Sequence, residues 1–143
     1  FAAVAGVPEA GDPFAAEIAR LARVPQIFLE KGEKDGKRAI SGIRAGALVP
    51  QGPVLIVDDL VTQADSKKEA AAVLGTAGCS VKDVLVILDR EQGGREELAA
   101  AGLTLHAAWL LSDLLKLYRS SGYIDQEVYD RTVAYLAKNR RAG

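Results

Sequence analysis

The stretch from Pro53 to Lys67 places the strongest constraint on how this chain can fold. It opens with the apolar run Val54-Leu55-Ile56-Val57, which is typical of a strand buried on both faces of a parallel sheet. Two acidic residues, Asp58 and Asp59, follow where the run ends. The polar loop Thr62–Ser66 then leads into an alanine-rich segment that we expect to be helical. The predicted order is therefore strand, carboxylates, loop and helix.

The start of this helix is marked by Ser66-Lys67-Lys68-Glu69, which has the form of a capping box with Ser66 as the N-cap. Unpaired N–H groups at a helix N-terminus and the helix dipole both favour a phosphate group. Carboxylates at the end of the neighbouring strand can meet hydroxyl groups or a magnesium ion. The sequence therefore predicts an anion site beside the acidic pair.

Strands and helices alternate along the rest of the chain, with a second buried strand predicted over Val81–Leu88. This alternation predicts a single domain over residues 1–143, of the α/β class, with a doubly wound, mostly parallel sheet and helices on both faces. Ligands bind at the carboxyl ends of the strands in such sheets. Asp58, Asp59 and the dipeptide Asp89-Arg90 all follow predicted strands, so we expect them at one edge.

Composition excludes several classes of protein. A formal net charge of −1 argues against general nucleic-acid binding, which requires a basic face. Cys79 is the only cysteine, so no internal disulfide can form, and a small buried residue is the favoured interpretation. No apolar run approaches the length of a membrane span and no signal peptide is visible, which predicts a cytoplasmic protein.

Two loops flank the predicted strands before the acidic pair. Gly6–Pro13 is rich in glycine and proline, and Asp12 before Pro13 is expected to cap the first helix. Strands are predicted at Pro25–Leu29 and Ala39–Arg44, with a connection over residues 45–52. The charged run Glu30–Arg38 between those strands is typical of a solvated hairpin tip, or alternatively forms a mobile cationic flap.

The hexapeptide Asp89-Arg90-Glu91-Gln92-Gly93-Gly94 is the second strong signal. An arginine fixed at a strand end beside two glycines can offer a planar fork to a carboxylate. A surface turn with a salt bridge is the alternative. His106 is the only histidine, and a core position on a strand is favoured over a metal or base role.

These segments together resemble the type I phosphoribosyltransferases, particularly their orotate-specific branch. The resemblance rests on Val54–Ser66, on the run A-G-V-P-E-A-G-D-P at residues 5–13, on D-R-E-Q-G-G at residues 89–94 and on G-L-T-L-H-A-A-W-L-L at residues 102–111. It covers residues 5 to about 136. It implies magnesium-dependent transfer of a phosphoribosyl group from phosphoribosyl pyrophosphate to orotate, which gives orotidine 5-phosphate and pyrophosphate.

The same resemblance implies roles for individual residues. Asp58 and Asp59 engage the ribose hydroxyls, directly or through Mg²⁺, and Arg90 contacts the orotate base. Lys31 and Lys34 belong to a flap that covers the departing pyrophosphate and reaches into the neighbouring subunit, so a homodimer is implied. The remaining predicted contacts are Thr62, Gln63, Ala64, Asp65 and Ser66 to the 5-phosphate, and Glu9, Ala10 and Gly11 to the pyrophosphate.

The chain also departs from the family pattern. Glu30 stands where an arginine is expected, the flap is about two residues shorter, and Asp65 places a carboxylate in the phosphate loop. The N-terminal hood of the family precedes the point at which this sequence begins, so a truncated domain is expected. These differences motivate an alternative, a degenerate domain that binds nucleotide or phosphoribosyl pyrophosphate without turnover.

Two further classes fit less well. A signalling receiver domain would use Asp58-Asp59 and Asp89, but in such domains the acidic pair comes near the start, and here more than fifty residues precede it. A P-loop ATPase is disfavoured because no glycine-rich loop ending in Gly-Lys-Ser/Thr occurs. Because the net charge is −1 and no apolar run is long enough to span a membrane, neither a nucleic acid nor a membrane is an expected partner.

Overall fold

The computed structural model describes residues 1–34, 36–44 and 52–140, apart from the side chains of Lys34, Lys37 and Arg38. Strands and helices alternate within these residues, as predicted. In chain order they are β1 (Ala3–Gly6), α1 (Gly11–Ala22), β2 (Gln26–Lys34), β3 (Lys37–Ile43), β4 (Pro53–Val61), α2 (Asp65–Thr76), β5 (Ser80–Asp89), α3 (Gly94–Ala100), β6 (Thr104–Leu110), α4 (Leu111–Ser120) and α5 (Gln126–Lys138). No helix in the described ranges is long and apolar enough to cross a membrane.

The strands form a six-stranded sheet in the order β3-β2-β1-β4-β5-β6. Every neighbouring pair is parallel except β2 and β3, which are antiparallel. A parallel pair needs a long crossover connection, whereas only two residues separate β2 from β3 along the chain. The predicted doubly wound, mostly parallel α/β fold is thus confirmed.

The central strand β4 explains the continuous apolar run of the sequence. Val54 and Ile56 pack into the larger hydrophobic cluster on one face of the sheet, and Leu55 and Val57 pack into the smaller cluster on the other. Alternate residues of a strand point to opposite faces, so burial on both faces requires an unbroken apolar run. The end of β1 at Gly6 lies beside Val57 of β4, directly before the acidic pair, which creates the edge where a ligand can bind.

Several predicted boundaries are wrong. The capping box does not form, because α2 begins at Asp65 and the side chain of Glu69 accepts a hydrogen bond of 3.1 Å from the Ile40 N–H. Asp12 does not cap α1, which begins at Gly11 and has Ala10 at its N-cap. In both cases the helix starts two residues earlier than the predicted N-cap indicates, and no side chain caps it.

Other differences concern strands and exposure. The acidic pair lies inside β4, which runs on to Val61 rather than ending at Val57. β2 and β3 extend through most of the charged run, whose residues pair across the hairpin. His106 is exposed rather than in the core, and its Nε2 lies 2.7 Å from Asp83 Oδ1. Cys79 is buried, as predicted. The connection predicted over residues 45–52 lies outside the described residues except for Gly52.

Candidate active site

A cleft of about 260 Å³ lies where the ends of β1 and β4 face the β2–β3 hairpin. Five of the residues predicted from the sequence line it together: Ala10, Lys31, Asp58, Asp59 and Ser66. Glu69 also lines it and was not predicted. A larger cavity of about 620 Å³ surrounds Phe1 and His106, and it contains none of the predicted site residues.

The two carboxylates of the acidic pair have different surroundings. Asp58 is buried, and its Oδ2 lies 2.5 Å from Nζ of Lys67, which is also buried. Its Oδ1 accepts a hydrogen bond of 2.9 Å from the Asp59 N–H. Burial raises the pKa of the Asp58 carboxyl, although the Lys67 ammonium and the Asp59 N–H both oppose that rise. No motif in the sequence predicts that Lys67 pairs with Asp58.

Asp59 is only partly buried, and it faces the cleft. Its Oδ1 accepts a hydrogen bond of 2.7 Å from the Leu60 N–H. Within the part of the chain that the structure describes, no hydrogen bond or ion pair reaches its second oxygen. This oxygen is available to a ligand hydroxyl or to a cation.

The predicted phosphate loop, residues 62–66, connects β4 to α2. Ala64 is buried, Asp65 is exposed, and the other three are partly buried. The Asp65 carboxylate lies 3.3 Å from Lys68 Nζ, so its negative charge is paired within α2. The loop leads into the N-terminus of this helix, where backbone N–H groups favour a phosphate.

The start of α3 supports this loop from behind. A Cβ atom on Gly94 would lie 2.4 Å from Val61 Cγ2 and 3.0 Å from the Thr62 carbonyl oxygen, so only glycine fits there without displacement. The Glu97 side chain accepts hydrogen bonds from the Ala64 N–H at 3.4 Å and from Lys68 Nζ at 2.9 Å. The hydrogen bond from Lys68 is the main reason that the pKa of Glu97 is lowered. Glu97 was missed because no sequence spacing links it to the loop.

The loop between β1 and α1 is held close to β4. The Val7 N–H donates to the Val57 carbonyl at 2.8 Å, and the Gly11 N–H donates to the Val7 carbonyl at 2.8 Å. Glu9 and Ala10 are exposed, as residues that meet a ligand must be. Asp12 Oδ1 is buried without a hydrogen-bond partner among the described residues, and burial raises the pKa of this carboxyl despite the nearby Arg44.

The turn after β5 is organised by Asp89 rather than by Arg90. Asp89 accepts hydrogen bonds from the Glu91 N–H at 2.8 Å and from Arg95 Nε at 3.2 Å, and it forms an ion pair with Arg95 Nη2 at 3.1 Å. Arg90 is partly buried, and its N–H donates to the Val61 carbonyl at 3.0 Å. No described residue forms an ion pair with the Arg90 guanidinium. The salt bridge of this turn joins Arg95 to Asp89 instead.

The structure brings together only part of the predicted site. Lys31 is exposed on β2 and lines the cleft. Lys34 ends β2, and its side chain lies outside the described residues. The lining of the cleft does not include Glu9, Gly11, Thr62, Gln63, Ala64, Asp65 or Arg90. These residues belong to the β1–α1 loop, the phosphate loop, the first turns of α1 and α2, and the turn after β5.

A sheet of this order, with an acidic pair and a phosphate loop at the end of its central strand, defines the type I phosphoribosyltransferase fold. The solved structure of UMP synthase from Leishmania donovani superposes with a TM-score of 0.82 at 31% identity, over 96% of this chain and 29% of that one. No family model matches the sequence.

Sequence relatives show which phosphoribosyltransferases the chain is similar to. UMP synthase from Bos taurus is 35% identical over 141 residues, which is 97% of this chain and 28% of that protein. Orotate phosphoribosyltransferase from Sorangium cellulosum is 37% identical over 120 residues, which is 79% of this chain and 62% of that protein. These relatives confirm the resemblance to the orotate phosphoribosyltransferases that the motifs indicate. The chain spans less than two thirds of the length of either relative.

Proposed function

We propose that this chain catalyses the magnesium-dependent transfer of a phosphoribosyl group from phosphoribosyl pyrophosphate to orotate. The observation that carries the proposal is an oxygen of Asp59 that has no partner among the described residues and faces a cleft between Lys31 and the N-terminus of α2. A sugar carrying a phosphate at one end and a pyrophosphate at the other needs this order of groups. The names of the relatives support the same substrate pair.

The reaction breaks the bond between ribose C1 and a pyrophosphate oxygen and forms a bond from C1 to N1 of orotate, which loses its proton. Such transition states have oxocarbenium character, so the protein acts by positioning and by charge stabilisation, without a side-chain nucleophile. Asp59 meets the ribose hydroxyls, and Lys31 lies near the leaving pyrophosphate. The 5-phosphate is met by N–H groups of residues 62–66 other than that of Ala64, which donates to Glu97. Arg90 offers its guanidinium to the orotate carboxylate.

The residues of this site fit a magnesium ion that binds together with the substrate. Mg²⁺ prefers oxygen ligands and commonly uses one or two carboxylates together with substrate oxygens. In the described ranges no three His, Cys, Asp or Glu side chains gather into a metal site. Of the acidic pair, Asp59 has the available oxygen and would hold the ion together with oxygen atoms of the substrate. When bound, the ion neutralises charge on the leaving group.

We further propose that the chain acts as a homodimer in which the β2–β3 hairpin contributes Lys31 and Lys34 to the neighbouring site. The hairpin carries the charged run at its tip, and Lys31 is exposed there. The resemblance of this run to the family flap supports the assignment. Sedimentation of the protein with and without phosphoribosyl pyrophosphate tests it, and a monomer under both conditions would contradict it.

A second candidate function is ligand binding without turnover. Glu9 and Asp12 add two carboxylates near Lys31. Glu9 repels the charged form of Asp12, whereas Lys31 attracts it. Glu30 adds a third on the neighbouring strand. These charges oppose the additional negative charge that develops on the pyrophosphate as its bond to ribose C1 breaks. They give a physical reason for a domain that retains a ligand but transfers nothing.

The deciding experiment is a calorimetric titration of the wild-type protein with phosphoribosyl pyrophosphate and Mg²⁺, followed by orotate in the same cell. Heat followed by formation of orotidine 5-phosphate supports the transferase. Heat without product supports the binding domain. Absence of heat contradicts both. Asp59→Asn serves as the matched control, because it removes the available charge while it keeps the shape of the side chain.

A further inference from the structure

We propose that Lys67 is a positioning residue that fixes Asp58 as an internal anchor, which leaves Asp59 as the single carboxylate of the acidic pair that meets the ligand. The inference rests on the proposed function. It differs from the prediction made from sequence, in which both carboxylates contact ribose. It assigns a role to a lysine that no motif singled out.

Lys67 lies in the first turn of α2 and is only 4% exposed. Its Nζ lies 2.5 Å from Asp58 Oδ2 and donates a hydrogen bond of 2.7 Å to the Leu60 carbonyl. A buried ammonium group is costly unless charge and hydrogen bonds compensate it, and these two oxygens supply the compensation. The side chain therefore joins the start of α2 to the end of β4.

Both oxygens of Asp58 are occupied by the protein itself. Oδ2 pairs with Lys67, and Oδ1 accepts the Asp59 N–H. A ribose hydroxyl or a cation at this carboxylate would have to share oxygens that already pair with an ammonium group and an N–H group. Removing one partner of a buried ion pair costs far more than breaking an exposed one. Asp58 is therefore poorly suited to bind a ligand directly.

The same contacts orient Asp59. The Asp59 N–H donates to Asp58, and the carbonyl of the following residue, Leu60, accepts a hydrogen bond from Lys67. The backbone is thus fixed on both sides of Asp59, whose own side chain accepts the Leu60 N–H. The Asp59 oxygen that faces the cleft gains a defined direction before any ligand arrives. Preorganisation of this kind raises affinity because less order must be imposed on binding.

The test compares four variants in the same titration with phosphoribosyl pyrophosphate and Mg²⁺. They are Lys67→Met, the double variant Asp58→Asn with Lys67→Met, Asp59→Asn, and Lys116→Met as a control on an exposed ion pair of α4. We expect Lys67→Met to weaken binding about tenfold, and the double variant to return to within about threefold of wild type. Asp59→Asn should weaken binding by at least about thirtyfold, and Lys116→Met should leave it unchanged.

A steady-state assay adds a second readout. Lys67→Met should raise KM for phosphoribosyl pyrophosphate more than it lowers kcat, because the misplaced carboxylate acts on binding. Wild-type binding by Lys67→Met would overturn the positioning role. A double variant as weak as Asp59→Asn would overturn the anchor role, and this comparison holds even if Lys67→Met alone does not fold. A wild-type protein that binds nothing would instead overturn the proposed function itself.

Discussion

Gly11 lies so close to the carbonyl oxygen of Val57 that a Cβ atom at Gly11 would be 2.4 Å from it. This contact holds the start of α1 against the end of β4. It therefore sets the distance between the loop predicted to bind pyrophosphate and the strand that carries the acidic pair. A backbone oxygen cannot move aside as a flexible side chain can, so the position requires glycine.

Gly11→Ala should accordingly destabilise the protein by about 1–3 kcal/mol, the cost typical of overpacking a buried site. It should also weaken binding of phosphoribosyl pyrophosphate, because the loop must move away from β4. Gly75→Ala is the matched control, since nothing lies within 4 Å of a Cβ there and alanine favours a helix. Thermal unfolding and calorimetry measure both effects. Equal behaviour of the two variants would contradict the importance of the Gly11 contact.

Arg90→Ala should reduce kcat/KM for orotate by about 10- to 150-fold, the range expected for loss of a hydrogen bond to a charged group. Binding of phosphoribosyl pyrophosphate should change little, because Arg90 lies outside the cleft lining. Arg90→Lys should recover only part of the activity, since an ammonium cannot form the paired contact of a guanidinium. Arg131→Ala on α5 controls for loss of positive charge. Wild-type turnover by Arg90→Ala would defeat the base assignment.

The sequence predicted the sheet and the position of Arg90 directly after β5, because continuous apolar runs and local order determine these features. It ended β4 at Val57, four residues too early, so it did not predict that the acidic pair lies inside the strand. It did not predict that Asp58 would be paired internally with Lys67. That pairing depends on how the first turn of α2 rotates over β4, which local patterns do not specify. The failed capping box has the same origin, because Glu69 is drawn to the backbone of β3 instead.

Asp12→Asn should raise stability at neutral pH. Burial raises the pKa of Asp12 above its ordinary value of 3.8, so the folded state binds a proton more readily than the unfolded state. The wild type therefore loses stability as pH rises from the ordinary value through the folded value, and an amide does not. The advantage of the variant should shrink toward acidic pH. Asp113→Asn, at an exposed pair on α4, is the control. A gain that is independent of pH would contradict this explanation.

Glu97→Gln should show the opposite pH dependence. Its pKa is lowered, chiefly by the hydrogen bond from Lys68, so the folded state favours the charged form. The stability it contributes is present above the ordinary carboxyl pKa and is lost as pH falls through the folded value. The variant should therefore be less stable than wild type at neutral pH, with a difference that vanishes in acid. Thermal unfolding across pH measures this.

The same variant should also loosen the phosphate loop, because the Glu97 carboxylate holds both the Ala64 N–H and Lys68. We expect a severalfold weaker affinity for ribose 5-phosphate, which contacts the loop without a pyrophosphate. Glu17→Gln, on the exposed face of α1, removes a paired carboxylate far from the loop and should leave the affinity for ribose 5-phosphate unchanged. Unaltered ribose 5-phosphate binding by Glu97→Gln would show that α3 contributes to stability alone. Coupled losses would show that α3 determines the shape of the phosphate loop.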